Sequence, residues 1–567
     1  MTFKDLFNGK YFGYYEKRLC FLLFLSTIPN IFPPLQVLVN SYTPPHRCDV
    51  NIPTDKSSFQ SSDGETLASK HWKEVVFNLT IPFEKQSSDG TYKRSACKQY
   101  NISTESMRKW ISGNGTTSDL LDLRTNESGT IPCSKYLYEG EEVSVITEFD
   151  LVCDKSRLKP LFTSLFMVGM LAGGPIGGFL SDKFGRRVAF LAFTLWQFVV
   201  AFVTSFATSP AFYGVMQFLA GISALVNYAS AVMIGSEFVH PDLRSFTYYV
   251  LGSGFAIGYI LLAPVMYLIR DWRWFMRFSA FIGIPYISYY WLIDETPVWL
   301  ASKGKDEQLI MVLDKIAKIN KQERKSIEEV KDKLISEEST LKTSRHPFLD
   351  VAKSFTLVWR LIIMGFSWFV VSLAYYVLAL NNNNLSGNRF LNVFYAGLAE
   401  LASVLTFYLL VESRGRRSSY MIIMGCCGLG IAVNPLVARL SASLVVVITM
   451  FNKFAAGVAF AIIYSYVGEM FPTATRQTML GVCSCCARVG GIISPYIIHE
   501  GENGDILAPS IAMAVVILLS VVLYLFLPET KNKRLPQTTG DASEMKGLVH
   551  FACCKSKNTQ NAKCAEI

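Results

Sequence analysis

Long apolar stretches, separated by polar turns, recur along the chain from residue 19 to residue 527. Each stretch is about 20 residues long, which is the length that an α-helix needs to cross the hydrocarbon layer of a membrane. The pattern therefore predicts an all-α membrane protein with about twelve transmembrane helices. The predicted helices are residues 19–41, 158–180, 188–207, 210–236, 246–268, 275–293, 356–379, 393–411, 419–437, 443–468, 478–498 and 508–527.

The composition of the chain supports this class and excludes others. Hydrophobic residues make up 51% of the 567 residues and charged residues only 17%, whereas soluble proteins carry roughly a quarter charged residues. This is too little polar surface for several soluble domains and too much apolar sequence for a disordered chain. The net charge of +9 does not indicate nucleic-acid binding, because the basic residues lie between apolar stretches rather than on one basic face.

Basic residues in short turns indicate the orientation of the helices. These turns follow the second, fourth, eighth and tenth predicted helices, which all end on the same side. Because such residues are retained on the cytoplasmic side, we expect both termini, 1–18 and 528–567, to be cytoplasmic. The linker 294–355 would lie on the same side with amphipathic helices, and we expect the tail to be disordered from residue 531 onward.

Residues 42–157 form a long polar segment that this orientation places outside the cell. Its four cysteines are disulfide candidates with three open pairings, and its four N-glycosylation sequons agree with an extracellular location. The cysteines are Cys48, Cys97, Cys133 and Cys153. The sequons are at Asn78, Asn101, Asn114 and Asn126.

Three motifs recur at a nearly constant distance along the chain. This repetition predicts two six-helix halves, 19–293 and 356–527, as in transporters that bind their substrate between repeats. The pairs are Gly185-Arg186-Arg187 with Gly415-Arg416-Arg417, Glu237 with Glu469, and Glu295 with Glu529, at offsets of 230, 232 and 234 residues (415 minus 185, 469 minus 237, 529 minus 295).

The segment from Gly178 to Arg187, with Asp182-Lys183 and Gly185-Arg186-Arg187, resembles the hallmark loop of the major facilitator superfamily. The long cysteine-bearing segment narrows the resemblance to the organic ion transporters of solute carrier family 22. The segments around Asn30, Asn227 and 380–388 are most similar to its organic cation/carnitine branch. This resemblance implies the major facilitator fold, plasma-membrane transport of small cations or zwitterions such as carnitine by alternating access, and sodium as a coupling ion.

Charged residues inside a membrane are costly and therefore mark candidate sites. Three lie well inside predicted helices: Glu400, Lys453 and Arg488. Glu400 and Lys453 either pair with each other or take part in substrate binding. Arg488 lies near the middle of its helix, where a guanidinium can bind a carboxylate through two hydrogen bonds. Its alternative partners are backbone carbonyls or Glu400.

Polar and aromatic residues in the helices complete the candidate site. A quaternary ammonium group is attracted to aromatic faces, and Tyr228 and Tyr375 match family positions suited to this. Asn227 is a further candidate for the substrate. The amide oxygens of Asn30 and Gln197 are candidates for binding sodium, and interhelical hydrogen bonding is the alternative for all three amides.

The repeated charges at the cytoplasmic ends of the helices predict a gate. Carboxylates and guanidiniums there would pair when the cytoplasmic side closes and separate when it opens. The residues are Asp182, Arg186, Arg187, Glu237, Arg244, Arg416, Arg417, Glu469 and Arg476.

The sequence offers no chemistry for an enzyme. There is no G-x-x-x-x-G-K-[ST] motif for binding nucleotide phosphates, and no metal or catalytic cluster stands out, so we expect no cofactor apart from sodium as a coupling ion. The expected partners are a small-molecule substrate and the lipid bilayer. Two alternatives stay open: an organic-anion exchanger of the same family, and a transport-inactive membrane receptor or scaffold.

Overall fold

A computed structural model describes residues 7–8, 13–49, 80–85, 92–101, 129–239, 243–321, 323–324, 351–472, 475–503, 507–531, 533, 536 and 538–545. Within these residues, 11 helical segments are long and apolar enough to cross a membrane. Together with a shorter helix of 10 residues, Trp272–Phe281, they form two groups of antiparallel helices with the same order. The helices of the first group are α1 (Tyr14–Thr27), α2 (Leu158–Phe184), α3 (Arg186–Thr204), α4 (Pro210–Phe238), α5 (Arg244–Leu268) and α6 (Trp272–Phe281).

Proline residues interrupt two helices of this N-terminal half. The helical path of α1 continues beyond Thr27 in short turns to Asn40, because Pro29, Pro33 and Pro34 cannot donate backbone hydrogen bonds. The sixth predicted helix, 275–293, is not continuous. α6 ends at Phe281, and the path goes on through a 3₁₀ turn, Ile284–Ser288, and a short helix, Tyr289–Leu292.

The linker and the second half follow. Two short helices of the linker, α7 (Pro297–Ser302) and α8 (Asp306–Asn320), lie against the N-terminal half, and Leu309, Leu313 and Ile316 of α8 are buried in its core. The helices of the C-terminal half are α9 (Phe355–Leu380), α10 (Arg389–Arg414), α11 (Arg416–Val437), α12 (Ala442–Met470), α13 (Arg476–Asn503) and α14 (Leu507–Tyr524).

The tail contains an ordered helix, α15 (Thr539–Glu544), so the prediction of disorder from residue 531 onward is wrong for this segment. Thr538 and Asp541 cap its first turn reciprocally. Ala542 is fully buried, and the guanidinium of Arg360 on α9 donates to the carbonyls of Ala542 and Met545. Capping and docking onto α9 together order a polar sequence that has no apolar stretch of its own.

The segment after α1 contains short antiparallel strand pairs in its described parts. They are His46–Cys48 with Tyr136–Tyr138, Phe83–Lys85 with Tyr92–Arg94, and Lys98–Tyr100 with Thr130–Pro132; elsewhere, Phe7–Asn8 pairs with Glu323–Arg324. Of the three open disulfide pairings, the structure has Cys48–Cys133 and Cys97–Cys153. Asn101 is exposed, whereas Asn78, Asn114 and Asn126 lie outside the described residues.

Candidate functional site

The two halves meet near the end of the helix bundle that carries residues 42–157, which we call the loop face. Lys159 at the start of α2 forms an ion pair with Glu502 at the end of α13, with a nitrogen–oxygen distance of 2.9 Å. Asn384 donates to the same carboxylate at 2.8 Å. Arg389 of α10 pairs with Glu142 at 2.7 Å. The two ion pairs form what we call the loop-face seal: the first joins helices of opposite halves, and the second attaches the C-terminal half to the polar segment.

Arg488 lies at the interface between the halves, because its Nη1 is 3.9 Å from the sulfur of Met170 on α2. The residue is only 7% exposed, and its Nε has no hydrogen-bond partner in the described part of the chain. Among the described residues, no carboxylate lies within ion-pair distance of this guanidinium. The guanidinium donates to no backbone carbonyl of these residues either, so neither alternative partner from the sequence is seen. A buried cation without an acid is costly, so this position favours an anionic ligand.

Glu400 and Lys453 form the ion pair that the sequence left open. The ammonium of Lys453 lies 3.0 Å from Oε2 of Glu400, and the hydroxyl of Tyr375 donates to the same oxygen at 3.0 Å. The ammonium also lies 3.1 Å from the centre of the Tyr375 ring and 5.6 Å from that of Tyr259 on α5. Lys453 is 1% exposed. The pair is thus held in an aromatic box with walls from both halves.

A row of aromatic rings extends from this box along α9 and α12. Tyr375 lies 5.4 Å from Phe460, Phe460 lies 5.7 Å from Tyr464, and Tyr464 lies 4.4 Å from Trp368, measured between ring centres. Tyr228 of α4 is half-buried, and no hydrogen bond or ring contact with another described residue fixes its role. The row offers several ring faces of the kind that attract an organic cation.

The buried amides of the N-terminal half are partly explained by hydrogen bonds between helices. Asn227 donates to Thr194 at 2.9 Å, and Asn30 donates to Asn227 at 3.5 Å. The side-chain oxygens of Asn30 and Gln197, however, are buried without a hydrogen-bond partner among the residues that the structure describes. Amide oxygens are ligands for hard cations, so these two residues fit a sodium ion by donor type.

At the opposite end of the bundle, the basic face, each half contains the same cluster of charges. In the N-terminal half, Arg186 pairs with Glu237 at 3.2 Å and with Asp182 at 2.5 Å. In the C-terminal half, Arg416 pairs with Glu469 at 2.7 Å. Each of these pairs lies within one half, so in this conformation they hold helices of the same half together.

Two glutamates that the sequence indicated only as part of the repeat complete these clusters. Glu295 accepts hydrogen bonds from the backbone nitrogens of Arg186 at 2.9 Å and Arg187 at 3.1 Å, at the start of α3. Glu529 accepts from Arg416 at 2.9 Å and Ser418 at 3.3 Å, at the start of α11. A carboxylate is favourable at a helix N-terminus, because free N–H groups and the helix dipole meet it there.

The glycines that precede α3 and α11 make room for these carboxylates. Gly185 has φ 114° and Gly415 has φ 86°, and a Cβ at either position would lie 2.9 Å or 2.7 Å from the carboxyl carbon of Glu295 or Glu529. Burial raises the pKa of Glu295, and the backbone N–H donors partly oppose this shift. The two halves thus have the same three parts at this end: a glycine turn, a helix capped by a glutamate, and a charge cluster around an arginine.

The remaining predicted gate residues are placed differently. Arg187 donates to the carbonyl of Tyr290, and Arg417 donates to that of Leu527 at 3.2 Å. Buried nitrogens of Arg476 have no hydrogen-bond partner within the described ranges. The side chain of Arg244 lies outside the described part of the structure. Sequence reasoning did not identify the loop-face seal, because nothing marks Lys159 and Glu502 as neighbours at a separation of 343 residues.

Two comparisons with known proteins agree with this architecture. Residues 99–540, more than half of the chain, match the family described as "Sugar (and other) transporter". The "Organic cation transporter protein" of Drosophila melanogaster is 30% identical over 538 residues, covering 94% of this chain and 92% of the relative. The "Organic cation/carnitine transporter 2" of Homo sapiens is 30% identical over 551 residues, covering 95% and 93%. "Solute carrier family 22 member 4" of Mus musculus is 30% identical over 550 residues, covering 96% and 94%.

Solved structures are similar in fold. The partially occluded inward-open xylose transporter XylE from E. coli has a TM-score of 0.55 and 18% identity, covering 67% of this chain and 90% of that chain. XylE bound to 6-bromo-6-deoxy-D-glucose has a TM-score of 0.52 and 18% identity, covering 67% and 88%.

Fold and relatives define the class: a multi-pass membrane transporter that takes a small-molecule substrate, and not an enzyme. The chain belongs to solute carrier family 22 of the major facilitator superfamily. The predictions of this family, fold and class are confirmed.

Proposed function

We propose that this protein carries small organic cations and zwitterions such as carnitine across the plasma membrane by alternating access. The names of the relatives support this substrate class. The basic residues of the short turns support placing the basic face and both termini in the cytoplasm, with residues 42–157 outside and glycosylated.

The observation that carries the proposal is the buried guanidinium of Arg488, which has no acidic partner among the described residues and faces the other half of the protein. A substrate carboxylate would supply the missing anion through two charge-assisted hydrogen bonds. Tyr228, Asn227 and the aromatic row that includes Tyr375 would surround the ammonium end of the substrate. A substrate with a carboxylate at Arg488 and an ammonium group among the aromatic rings is a zwitterion.

The two ends of the bundle suggest how access alternates. In this conformation the loop-face seal joins the halves, while the charge clusters of the basic face lie within each half. The protein would transport by breaking the seal and bringing the two clusters together, so that their charges pair across the halves and close the cytoplasmic side. In this scheme the capped starts of α3 and α11 keep each cluster rigid.

Sodium is the coupling ion of this proposal. The buried oxygens of Asn30 and Gln197, which accept no hydrogen bond from any described residue, would contribute ligands beside Asn227. A cation held there would stabilise the packing of α1, α3 and α4 around it. Replacing sodium in the medium would then reduce uptake without changing the amount of transporter at the surface.

One observation favours a second candidate, an organic-anion exchanger. Because Lys453 neutralises Glu400, the three charges inside the helices sum to one positive charge, that of Arg488. A translocation path with this charge would suit a monoanion as well as a zwitterion.

Uptake by transfected cells distinguishes the candidates. Labelled carnitine, tetraethylammonium and a dicarboxylate are each measured with sodium and with sodium replaced by N-methylglucamine. The proposal predicts sodium-dependent carnitine uptake above that of untransfected cells. Uptake of the dicarboxylate alone would favour the anion exchanger. No uptake of any substrate by surface-expressed protein would contradict both transport functions and favour a receptor or scaffold.

A further inference from the structure

The box around the ammonium of Lys453 has the composition of a binding site for a substrate cation. It consists of one carboxylate, from Glu400 at 3.0 Å, and two aromatic rings, Tyr375 at 3.1 Å and Tyr259 at 5.6 Å. Aromatic rings with a nearby acid are the arrangement that proteins use to hold quaternary ammonium groups. Here the group inside the box belongs to the protein itself.

We propose that Lys453 is a tethered ammonium that occupies a cation site of the transporter and thereby sets which charge class of substrate it accepts. This inference rests on the proposed function, since it concerns the same translocation path. A substrate ammonium reaches Glu400 only when it displaces the lysine, whereas a substrate with only a carboxylate needs no displacement. Lys453 therefore reduces the preference of the transporter for a cationic group over an uncharged group of the same shape.

The way the box is built supports a site in which one ammonium group can replace another, rather than a fixed structural contact. Tyr259 comes from the N-terminal half, and the other three residues come from the C-terminal half. Asn382 donates to the hydroxyl of Tyr259 at 3.0 Å and so holds this wall against the C-terminal half. The box therefore closes when the loop face closes, and it opens when the halves separate there. The side chain of Lys453 is flexible, so it can move out of the box with α12 while another ammonium group enters the box.

The test compares uptake of carnitine with uptake of 3-hydroxy-5,5-dimethylhexanoate, in which carbon replaces the ammonium nitrogen. The ratio of the two does not depend on the amount of protein at the surface. Lys453→Met is expected to raise the carnitine-to-isostere ratio about tenfold over wild type, because the carboxylate of Glu400 becomes available to the substrate. Adding Glu400→Gln should abolish this gain.

Lys159→Met is the matched control, since it also removes a lysine from an ion pair but lies in the loop-face seal. It should change uptake of both compounds equally and leave the ratio unchanged. Lys453→Gln keeps a hydrogen-bond donor for Glu400 and replaces the methionine variant if that variant does not reach the surface. An unchanged ratio in the Lys453 variants, with uptake still dependent on Arg488, would overturn the inference and leave the proposed function standing.

A measurement without transport covers the case in which wild type carries neither compound. Tetramethylammonium chloride is added to detergent-purified protein, with sodium chloride as the salt control. It should raise the melting temperature of the Lys453→Met variant and not that of the variant that also carries Glu400→Gln. The absence of this stabilisation would contradict a cation site at the box, whatever the transported substrate is.

Discussion

Arg389 offers the sharpest perturbation of the loop-face seal. Its guanidinium pairs with Glu142 at 2.7 Å and stacks 3.8 Å above the centre of the Tyr42 ring. The Arg389 and Glu142 side chains are 11% and 20% exposed. A surface ion pair contributes up to about 1 kcal/mol, and a cation–π contact about 0.5 to 2 kcal/mol, so Arg389→Ala should weaken the closed loop face by about 2 kcal/mol.

A change of about 2 kcal/mol shifts the equilibrium between closed and open loop face about 30-fold toward the open state. The assay uses Thr163→Cys, because Thr163 is 6% exposed and lines the small cavity beside Lys159 and Glu502. We expect a membrane-impermeant thiol reagent applied outside the cell to label this cysteine about 30 times faster when Arg389 is alanine. The same protein with Thr163 retained measures labelling of the native cysteines.

Lys98→Ala is the control for this experiment. Lys98 forms an ion pair of 2.9 Å with Glu84, but the side chains are 54% and 45% exposed and neither residue belongs to the seal. Its loss should not change labelling. Glu142→Gln should add little to Arg389→Ala, because the partner is already lost. An unchanged labelling rate in Arg389→Ala would refute the reasoning that this contact holds the loop face closed.

Three further predictions concern the ends of the helices. Gly185→Ala should strongly reduce surface expression and melting temperature, because the added Cβ would crowd Glu295. Gly304→Ala is the control. Gly304 has φ 67° and no atom within 4 Å of an added Cβ, so this variant carries conformational strain alone. Burial raises the pKa of Glu295 in the folded protein, so folding becomes less favourable as the pH rises from 4.5 through this pKa. The melting temperature of wild type should therefore fall relative to that of Glu295→Gln over this pH range. Parallel pH profiles of the two proteins would contradict this. Ala542→Glu should release α15, so that limited proteolysis cleaves the tail faster; unchanged cleavage would show that docking on α9 does not order it.

The sequence predicts the helices well, because an apolar stretch of about 20 residues satisfies its backbone hydrogen bonds only as a helix in a membrane. The error in the sixth helix had a visible signal. Pro285 cannot donate within a helix, and Gly283 packs so closely that a Cβ would lie 2.7 Å from that of Phe198. Hydropathy alone does not register such an interruption.

The candidate site is predictable in composition but not in pairing. Glu400, Lys453 and Arg488 stand out as charges in apolar helices, yet spacing along one helix does not determine which other helix it faces. The structure pairs Glu400 with Lys453 and shows no acid beside Arg488 among the residues that it describes. The repeat located Glu295 and Glu529 in the sequence. It did not predict that they cap α3 and α11, because each carboxylate meets a helix start that is distant along the chain.

The loop-face contacts could not be predicted, since they join residues from segments with no common pattern. The disulfide pairing had the same difficulty. Cys48 meets Cys133 because strand His46–Cys48 pairs with Tyr136–Tyr138, and short isolated strands give little sequence signal.

Substrate anchoring by Arg488 is the central claim, and carnitine uptake by Arg488→Ala tests it most directly. Uptake is normalised to surface biotinylation, with Arg439→Ala, an exposed arginine of the same half, as the matched control. Loss of the charge-assisted hydrogen bonds should lower uptake at sub-saturating carnitine at least about tenfold in Arg488→Ala, with surface expression and the control variant unaffected. Carnitine uptake equal to wild type in a well-expressed Arg488→Ala protein would contradict the account.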